Sequence, residues 1–532
     1  MPILISQVIT PYNVSEEQII AVALKKVCLS LADTSIAGIH KSSLDARKNT
    51  DIKLVSSVWI ELSDEILEQN LADKYSFCKH IENIELKPKT YGSVNPDGRI
   101  VIAGFGPAGM FAALILAEYG YKPLVLERGN SIDERVDAVN SFWKDAILDT
   151  ATNVQFGEGG AGTFSDGKLT TRINSNLCRY ILEKLTELGA PNEILSRAKP
   201  HIGTDKLRTI VKNLRERVIS LGGEVRFLSQ ITDISIKNGK ISSVTVNNNE
   251  QIKTEALILA IGHSARDTFE MLLNKGVFIE PKPFSIGARI EHTRESVNQS
   301  LYGKHYKDAS LPSGEYQLSY RLDERAVYTF CMCPGGYVVP SQSEENTIVV
   351  NGMSEFSRNA KNSNSAMVVS VSPDDFGKGP LDGVKFAQDI EHKAYNLAGK
   401  NYTAPACTVG QLLDGNSSLE KASVSPSYSI GVTECDFREL FPNYITEMMQ
   451  AGIRNFAGKM HCFGDRNAVL TAPETRTSSP IKITRNDNMQ SLSIASLYPC
   501  GEGAGYAGGI VSAAVDGVNC ALKIIETYTT ER

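Results

Sequence analysis

Residues 104–109 read GFGPAG, and this G-x-G-x-x-G spacing is typical of turns that bind dinucleotides. The turn follows an apolar run at 99–103 and opens a longer apolar run, so it joins a predicted strand to a predicted helix. There the first glycine permits a tight turn, the second lets the backbone approach a pyrophosphate, and the third lets helix and strand pack closely. The start of the helix adds free N–H groups and partial positive charge. The pattern predicts a dinucleotide at Gly104, Gly106, Pro107, Ala108 and Gly109.

An acidic residue closes the second predicted strand of this unit. Glu127 follows Gly109 by roughly 20 residues, the usual separation in dinucleotide-binding units. A carboxylate there accepts hydrogen bonds from a ribose 2′-hydroxyl and repels a 2′-phosphate, which disfavours NADP at this turn. We include Glu127 and the adjacent Arg128 in the predicted cofactor site.

A second glycine-rich turn, GEGAGYAGGI at 501–510, lies nearly 400 residues downstream and also leads from a predicted strand into a predicted helix. This turn favours FAD over NAD, because an extended cofactor needs a distant segment to hold its ribityl chain and ring. A helix that starts near Gly508 would direct its positive end at the flavin, where reduction places negative charge. Glu502 would accept a hydrogen bond from a ribityl hydroxyl. The predicted site here comprises Gly501, Glu502, Gly508, Gly509 and Ile510.

Three side chains are candidates for chemistry. Arg476, in ETRTSSP at 474–480, would stabilise a substrate carboxylate or an anionic reduced flavin, with a structural ion pair to Glu474 as the competing interpretation. His461 is a candidate for proton transfer, although a lone histidine is more often structural. Cys333 is a candidate redox thiol or nucleophile, but the spacing of Cys331 and Cys333 favours two buried thiols on one strand face. The ten cysteines contain no C-x-x-C pair, so we predict no metal site.

A further loop, FGEGGAGTFSDGK at 156–168, mixes glycines with hydroxyls and acids, and can wrap a phosphate or a flavin edge. Lys168 would supply its positive charge.

The elements that must position these residues divide the chain into four segments. Residues 1–92 predict a small N-terminal α/β appendage, which ends in a linker rich in proline and glycine at 87–98. Residues 93–284 predict the first part of an FAD-binding domain, 285–465 an inserted α+β substrate or cap domain, and 466–532 the C-terminal return to the FAD-binding domain. The predicted fold class is α/β, with a Rossmann-like FAD-binding domain that is discontinuous in sequence.

Composition excludes several classes. The chain of 532 residues is 42% hydrophobic and 22% charged, which excludes a disordered or fibrous protein. A net charge of −6 gives no reason to expect nucleic acid or an anionic membrane as a partner. The apolar run at 110–117 is too short to span a bilayer, and the N-terminal residues lack the pattern of a secretory signal. We therefore predict a cytoplasmic enzyme with a small-molecule substrate.

Seven segments resemble the FAD-dependent dehydrogenases of the flavoprotein superfamily with two dinucleotide-binding domains. They are VIAGFGPAGMFAALILA, FGEGGAGTFSDGKL, ALILAIGHSARDT, PFSIGARIEH, YTFCMCPGG, ETRTSSPI and GEGAGYAGGI, between residues 98 and 515. The resemblance implies FAD as the cofactor, with Gly159, Gly160, Gly162 and Thr163 against its pyrophosphate or flavin and Gly262 near its adenosine half. At 260–262 the chain has Ala-Ile-Gly where many relatives have Ala-Thr-Gly, so no threonine role is carried over.

The predicted function is an FAD-dependent oxidoreductase that transfers a hydride between the flavin and a small organic substrate or NAD(P)H. No second G-x-G-x-x-G unit follows, so NAD(P)H is a candidate donor without an identified site. The alternatives are a flavin monooxygenase, a reductase of unsaturated bonds, or a sensor or accessory protein with structural FAD.

Overall fold

The computed structural model of the chain describes residues 2–62, 65–81 and 86–530. Residues 1, 63–64 and 82–85 of the predicted segment 1–92, and residues 531–532 of the predicted segment 466–532, lie outside the described part. The N-terminal elements are β1 (Ile3–Pro11), α1 (Glu16–Lys26), β2 (Thr34–Asp45), β3 (Lys53–Leu62), α2 (Glu65–Lys74) and β4 (Cys78–His80). Their strands form an antiparallel sheet in the order β2-β3-β1-β4, which is the split βαβ arrangement.

Residues 15–18 read SEEQ, which is the spacing of a capping box and predicts the start of a helix. The structure confirms it at the start of α1, because Ser15 Oγ accepts from the Gln18 N–H at 3.3 Å and Gln18 Oε1 accepts from the Ser15 N–H at 2.9 Å. No pattern in the sequence predicts strand β2. It is an edge strand whose residues are all partly or fully exposed, so it carries no apolar alternation to reveal it.

The first large α/β unit contains β5 (Arg99–Ala103), α3 (Pro107–Glu118), β6 (Leu124–Leu126), α4 (Ile132–Asp145), α5 (Leu177–Glu187), α6 (Thr204–Ser220), β7 (Glu224–Arg226), β8 (Ile231–Lys237), β9 (Lys240–Val246), β10 (Glu250–Leu259), α7 (Arg266–Asn274) and β11 (Ile279–Pro281). In its sheet β7, β6, β5 and β10 are parallel neighbours, and β9 and β8 add an antiparallel edge. This is the Rossmann-like arrangement that the glycine turn predicts.

The second large unit comprises β12 (Phe284–Thr293), α8 (Arg294–Tyr302), β13 (Ser319–Leu322), β14 (Arg325–Cys333), β15 (Tyr337–Pro340), β16 (Val350–Met353), β17 (Asn362–Val371), α9 (Pro373–Phe376), α10 (Asp382–Leu397), β18 (Ala404–Thr408), α11 (Val409–Asp414), β19 (Val432–Glu434), α12 (Phe437–Leu440), α13 (Asn443–Ala457) and β20 (Val469–Glu474). Seven strands form one sheet in the order β13-β14-β17-β12-β20-β18-β19. Strand β20 pairs with β12 and β18, so this sheet extends beyond the predicted boundary at 465. An apolar strand at that place suits either sheet, and only its pairing decides between them.

The chain then returns to the first sheet through β21 (Ile481–Ile483), β22 (Leu497–Pro499) and α14 (Ile510–Ile525). Strand β22 pairs in parallel with β10, and α14 packs across α3. The crossing is close, because a Cβ on Gly517 would lie 2.0 Å from the Ala108 carbonyl oxygen. This packing buries α3 on all sides and brings the two glycine turns together. Within the described residues, no helix has the length and apolar character needed to cross a membrane.

Candidate functional site

A cavity of about 1250 Å³ lies between the two large sheets. One wall follows the carboxyl ends of the parallel strands β5, β6, β10 and β22, where ligands bind in open α/β sheets. The other wall comes from β14 and from the segment after β20. We refer to this cavity as the chamber. Sixteen of the predicted site residues line it: Gly104, Gly106, Pro107, Ala108, Glu127, Arg128, Gly160, Gly162, Lys168, Gly262, Cys333, Arg476, Glu502, Gly508, Gly509 and Ile510.

The three glycines of the first turn have different surroundings. Gly104 has a φ of +93°, and a Cβ there would lie 2.5 Å from the Ala260 carbonyl oxygen. Gly109 does not line the chamber, and its Cβ would lie 2.0 Å from the Gly104 carbonyl oxygen. Gly106 lines the chamber with a φ of −83°, and its Cβ would meet only Gly160, at 3.6 Å. The first and third glycines are thus required for packing, whereas the second keeps the chamber open beside the start of α3.

Glu127 is buried at the chamber wall and binds backbone amides. Its Oε2 accepts from the Phe105 N–H at 2.7 Å, and its Oε1 accepts from the Gly129 and Gly157 N–H groups at 2.9 Å. A carboxylate offers about four lone-pair positions, so one remains for a ligand hydroxyl. The ribose contact of Glu127 therefore stays a prediction.

The two predicted cations nearby are already paired. Arg128 donates to both carboxylate oxygens of Asp267, at 3.0 and 2.8 Å, and lies over the Phe156 ring. Lys168 donates to Glu315 at 3.0 Å. Both line the chamber, but much of the positive charge predicted for phosphate binding is balanced by these acids.

The loop at 156–168 is organised by a residue that the sequence analysis did not select. The Arg135 guanidinium is fully buried and donates to five carbonyl oxygens, including those of Asn153 at 2.9 Å, Glu158 at 2.6 Å and Gly160 at 3.0 Å. Burial lowers its pKa to about 10, so it remains a cation at neutral pH. An arginine on the apolar face of α4, three residues after Ile132, is the sequence signal that identifies it.

Two predicted residues of this loop face away from the chamber. Gly159 and Thr163 line a small apolar cavity behind the loop, and a Cβ on Gly159 would lie 2.2 Å from Thr163 Oγ1. They therefore support the loop from behind, which differs from the cofactor contact that the resemblance implies.

The second glycine turn brings Glu502, Gly508, Gly509 and Ile510 to the chamber, whereas Gly501 packs behind it against Ala108. Burial raises the pKa of Glu502 to about 7, against the opposing effect of Lys282. At neutral pH this carboxyl group is therefore close to half protonated, and it can donate or accept a hydrogen bond.

Arg476 is buried at the chamber wall, and its acidic partner is not Glu474, which the competing interpretation named. Its guanidinium donates to Glu391 at 3.2 Å and to Ser343 Oγ at 2.6 Å. Glu474 instead pairs with the fully buried Arg289, which donates to both of its oxygens. Glu391 lies on α10 and Arg289 on β12, so neither partnership is visible in the local sequence.

The two thiols of β14 do not share a face, which corrects the strand-face interpretation. Cys331 has a φ of +40° at a bulge in β14, so the side-chain alternation is broken. Its side chain is exposed in the chamber, while Cys333 is buried and donates to the Cys331 carbonyl at 3.3 Å. Burial raises the thiol pKa of Cys333 to about 11, against the opposing effect of Arg289. This thiol is protonated at neutral pH, which does not favour a nucleophilic Cys333.

This environment predicts how the thiols react with iodoacetamide. In the native protein at pH 8, Cys333 should be modified roughly two orders of magnitude more slowly than a peptide thiol, because so little thiolate is present. The exposed Cys28 provides the fast internal control. After unfolding without reductant both β14 thiols should be fully labelled, as followed by peptide mass mapping. Labelling that requires prior reduction would mean that they form a disulfide.

His461 does not reach the chamber. It is exposed at the start of a short 3-10 turn between α13 and β20. Its placement provides no contact through which it would move a proton to or from a molecule bound in the chamber.

Among the described residues, one cluster has metal-ligand character. The ligand atoms of Cys500, Asp516 and Cys520 lie within 4.8 Å of one another, and all three residues are buried. Both oxygens of Asp516 already accept from Arg485, at 2.9 and 2.6 Å, and one also accepts from the Gly501 N–H. Because the Arg485 guanidinium already pairs with this carboxylate, the cluster is better explained as a structural contact behind the second glycine turn than as a metal site.

A histidine absent from the sequence-based candidates also lines the chamber. His263 directly follows Gly262 at the carboxyl end of β10, and this position after a parallel strand is the signal that identifies it. A Cβ on Gly503 would lie 2.3 Å from the Gly262 carbonyl oxygen, so Gly262 and His263 lie beside the second glycine turn, which differs from the place near the adenosine half that the resemblance implies.

Comparison with known proteins gives three findings. A family model described as "FAD-dependent protein, C-terminal domain-like" matches residues 283–477. A Clostridium beijerinckii protein described as "Uncharacterized protein" is 46% identical over 524 residues, which cover 97% of this chain and 98% of the relative. Solved structures include CtdE in complex with FAD, with 12% identity, 80% of this chain and 84% of CtdE covered, and a TM-score of 0.32. A geranylgeranyl bacteriochlorophyll reductase-like protein from Thermoplasma acidophilum has 14% identity, 80% and 78% coverage, and a TM-score of 0.34.

Proposed function

We propose that this chain, which belongs to the FAD-dependent oxidoreductase family, transfers a hydride between FAD and a small organic molecule. That molecule would be held in the chamber. The observation that carries this proposal is the chamber itself. A single cavity of about 1250 Å³ joins the dinucleotide turn to the second sheet, so a cofactor and a smaller molecule have room side by side.

The residues present fit FAD. Because Gly106 has no Cβ, the chamber wall stays open beside the α3 N-terminus, where backbone amides suit a pyrophosphate. Glu127 would hold the ribose, and Glu502 the ribityl chain. The start of α14, after Gly508 and Gly509, would lie at the flavin end. When bound, FAD supplies hydride chemistry that no side chain of the protein supplies.

The second sheet would orient the substrate and cover it from water. Arg476 is held rigidly by Glu391 and Ser343, so its guanidinium is positioned to bind an anionic group. Glu502, with a pKa of about 7, would hold or release a proton at its carboxyl oxygen near neutral pH.

In more detail, we propose a dehydrogenase reaction in the cytoplasm on a small-molecule substrate, with NAD(P)H as the alternative electron donor.

The N-terminal split βαβ unit contacts the first large α/β unit through β2, because the Ser42 N–H donates to the Ser196 carbonyl at 2.6 Å and the Ala198 N–H donates to the Ser42 carbonyl at 2.8 Å. It would support the segment that leads to Lys199 at the chamber wall.

Anaerobic spectroscopy tests the proposal. The purified protein should show a flavin absorbance band, which NADH, NADPH or an organic substrate bleaches without oxygen. Fast bleaching by a nicotinamide would make this a pyridine-nucleotide-linked reductase, and a persistent band would make an organic molecule the reductant. Consumption of oxygen with hydroxylation of the substrate would instead indicate a monooxygenase. A protein that neither contains FAD nor binds it when added would contradict the proposed function.

A further inference from the structure

A chain of hydrogen bonds fixes the protonation of His263. Gln155 Nε2 donates to the Ser341 carbonyl at 3.0 Å, and because a carbonyl only accepts, this contact orients the amide. Gln155 Oε1 then accepts from Ser264 Oγ at 3.0 Å, which uses the single hydroxyl proton of Ser264. His263 Nδ1 lies 3.0 Å from the same hydroxyl oxygen, so it must be the donor.

His263 therefore presents an unprotonated Nε2. Burial, and then the charges of Arg476 and Arg266, lower its pKa to about 3, so the ring is neutral at physiological pH. The residue is partly buried and lines the chamber, and among the described side chains its ring bonds to Ser264 through Nδ1, which leaves Nε2 to a ligand. An imidazole in this state accepts a hydrogen bond from a ligand N–H or O–H group.

Arg476 also lines the chamber, close enough to His263 for its charge to lower the pKa of that ring, and it offers the complementary hydrogen-bond donor. Its partner Glu391 is fully buried and also binds Arg266 through both oxygens, at 2.8 Å. One buried carboxylate thus faces two guanidinium groups, and Arg476 is the one of the two that lines the chamber. Arg266 has a second acidic partner, Glu344, at 3.1 Å. The two carboxylates balance the two guanidinium groups in charge, but two of the five N–H groups of Arg476 make no hydrogen bond to a described residue and can donate to an anion.

We propose that Arg476 and His263 form a subsite for a carboxylate that carries a hydroxyl group on the neighbouring carbon, as the substrate class of the proposed oxidoreductase, on which this inference rests. Arg476 binds the carboxylate through its N–H groups, and His263 Nε2 accepts from the hydroxyl. A simple carboxylate leaves Nε2 without a donor. An ammonium group in place of the hydroxyl would be repelled by Arg476 and Arg266.

Calorimetric titration of the FAD-loaded protein with lactate, as each enantiomer, and with propanoate tests this assignment. One lactate enantiomer should bind about tenfold more tightly than propanoate, the effect of one hydrogen bond to a buried acceptor. His263→Phe should remove this preference without changing propanoate binding, and His263→Gln should restore part of it because its amide oxygen accepts. Arg476→Lys should weaken both acids. His80→Phe, in the N-terminal unit, is the matched control and should bind like the wild type.

Three results would overturn the assignment. The first is equal binding of lactate and propanoate by the wild type, and the second is no binding of either acid. The third is loss of FAD from His263→Phe, because the subsite would then hold a hydroxyl and phosphate of the cofactor itself. Failure of the proposed function is a separate observation, since it would appear as an absence of FAD in the wild-type protein before any acid is added.

Discussion

Gly106→Val is expected to yield a folded protein that retains less than about a tenth of the FAD bound by the wild type, because the added side chain occupies the place where the pyrophosphate approaches. The backbone of Gly106 has φ −83° and ψ −175°, which valine adopts without strain. Its Cβ would meet only Gly160, at 3.6 Å. The substitution therefore changes the chamber and leaves the packing of β5 and α3 in place.

The measurement is the ratio of flavin to protein absorbance after purification, together with the melting temperature. The variant should melt near the wild-type apoprotein rather than the holoprotein, since bound cofactor stabilises the folded state. Gly458→Val, at an exposed α13 terminus with a φ of −72°, is the matched control and should retain FAD. Gly104→Val should instead impair folding, because its Cβ meets the Ala260 carbonyl. Full flavin content in Gly106→Val would refute the placement of the cofactor.

Arg135→Met is expected to destabilise the first α/β unit by about 3 kcal/mol and to weaken FAD binding, because methionine fills the space but donates no hydrogen bonds. Five carbonyl oxygens of the loop at 153–160 would lose their donor. The buried Glu158 would also lose the nearby positive charge and keep only Arg215, at 2.9 Å. The loop that forms one wall of the chamber would then lose its geometry.

Urea denaturation of the apoproteins, with flavin retention measured in parallel, checks this expectation. Lys212→Met is the matched control. It removes an exposed ion pair between α6 and Asp133 on the same helix as Arg135, and it should leave the denaturation midpoint unchanged. An Arg135→Met protein with the wild-type midpoint and full flavin content would show that the buried guanidinium does not organise the loop.

The local parts of the site were predictable from the sequence. The turn at Gly104, Gly106 and Gly109 was recognisable because strand, turn and helix are contiguous, and their backbone requirements act on neighbouring residues. The second turn at Gly508 and Gly509 was recognisable for the same reason.

The contacts that the sequence did not reveal depend on partners distant in the chain. The competing interpretation of Arg476 paired it with Glu474, two residues away, but Arg476 binds Glu391, 85 residues away. Lys168 was expected to supply positive charge to a phosphate or a flavin edge, and in the structure it also pairs with Glu315, 147 residues away. Cys331 and Cys333 were expected on one strand face, and a bulge in the pairing of β14 with β17 separates them.

The sequence by itself therefore determined the dinucleotide turns and the α/β class, because both depend on φ/ψ preferences and periodicities of adjacent residues. It also favoured FAD, because a second turn of the same local kind is recognisable far downstream. The tertiary structure decided which charges remain available in the chamber, because a buried charge needs a partner and the packing of the two sheets selects it. It also decided the tautomer of His263, since Gln155 and Ser341 reach that ring only after the sheets have packed against each other.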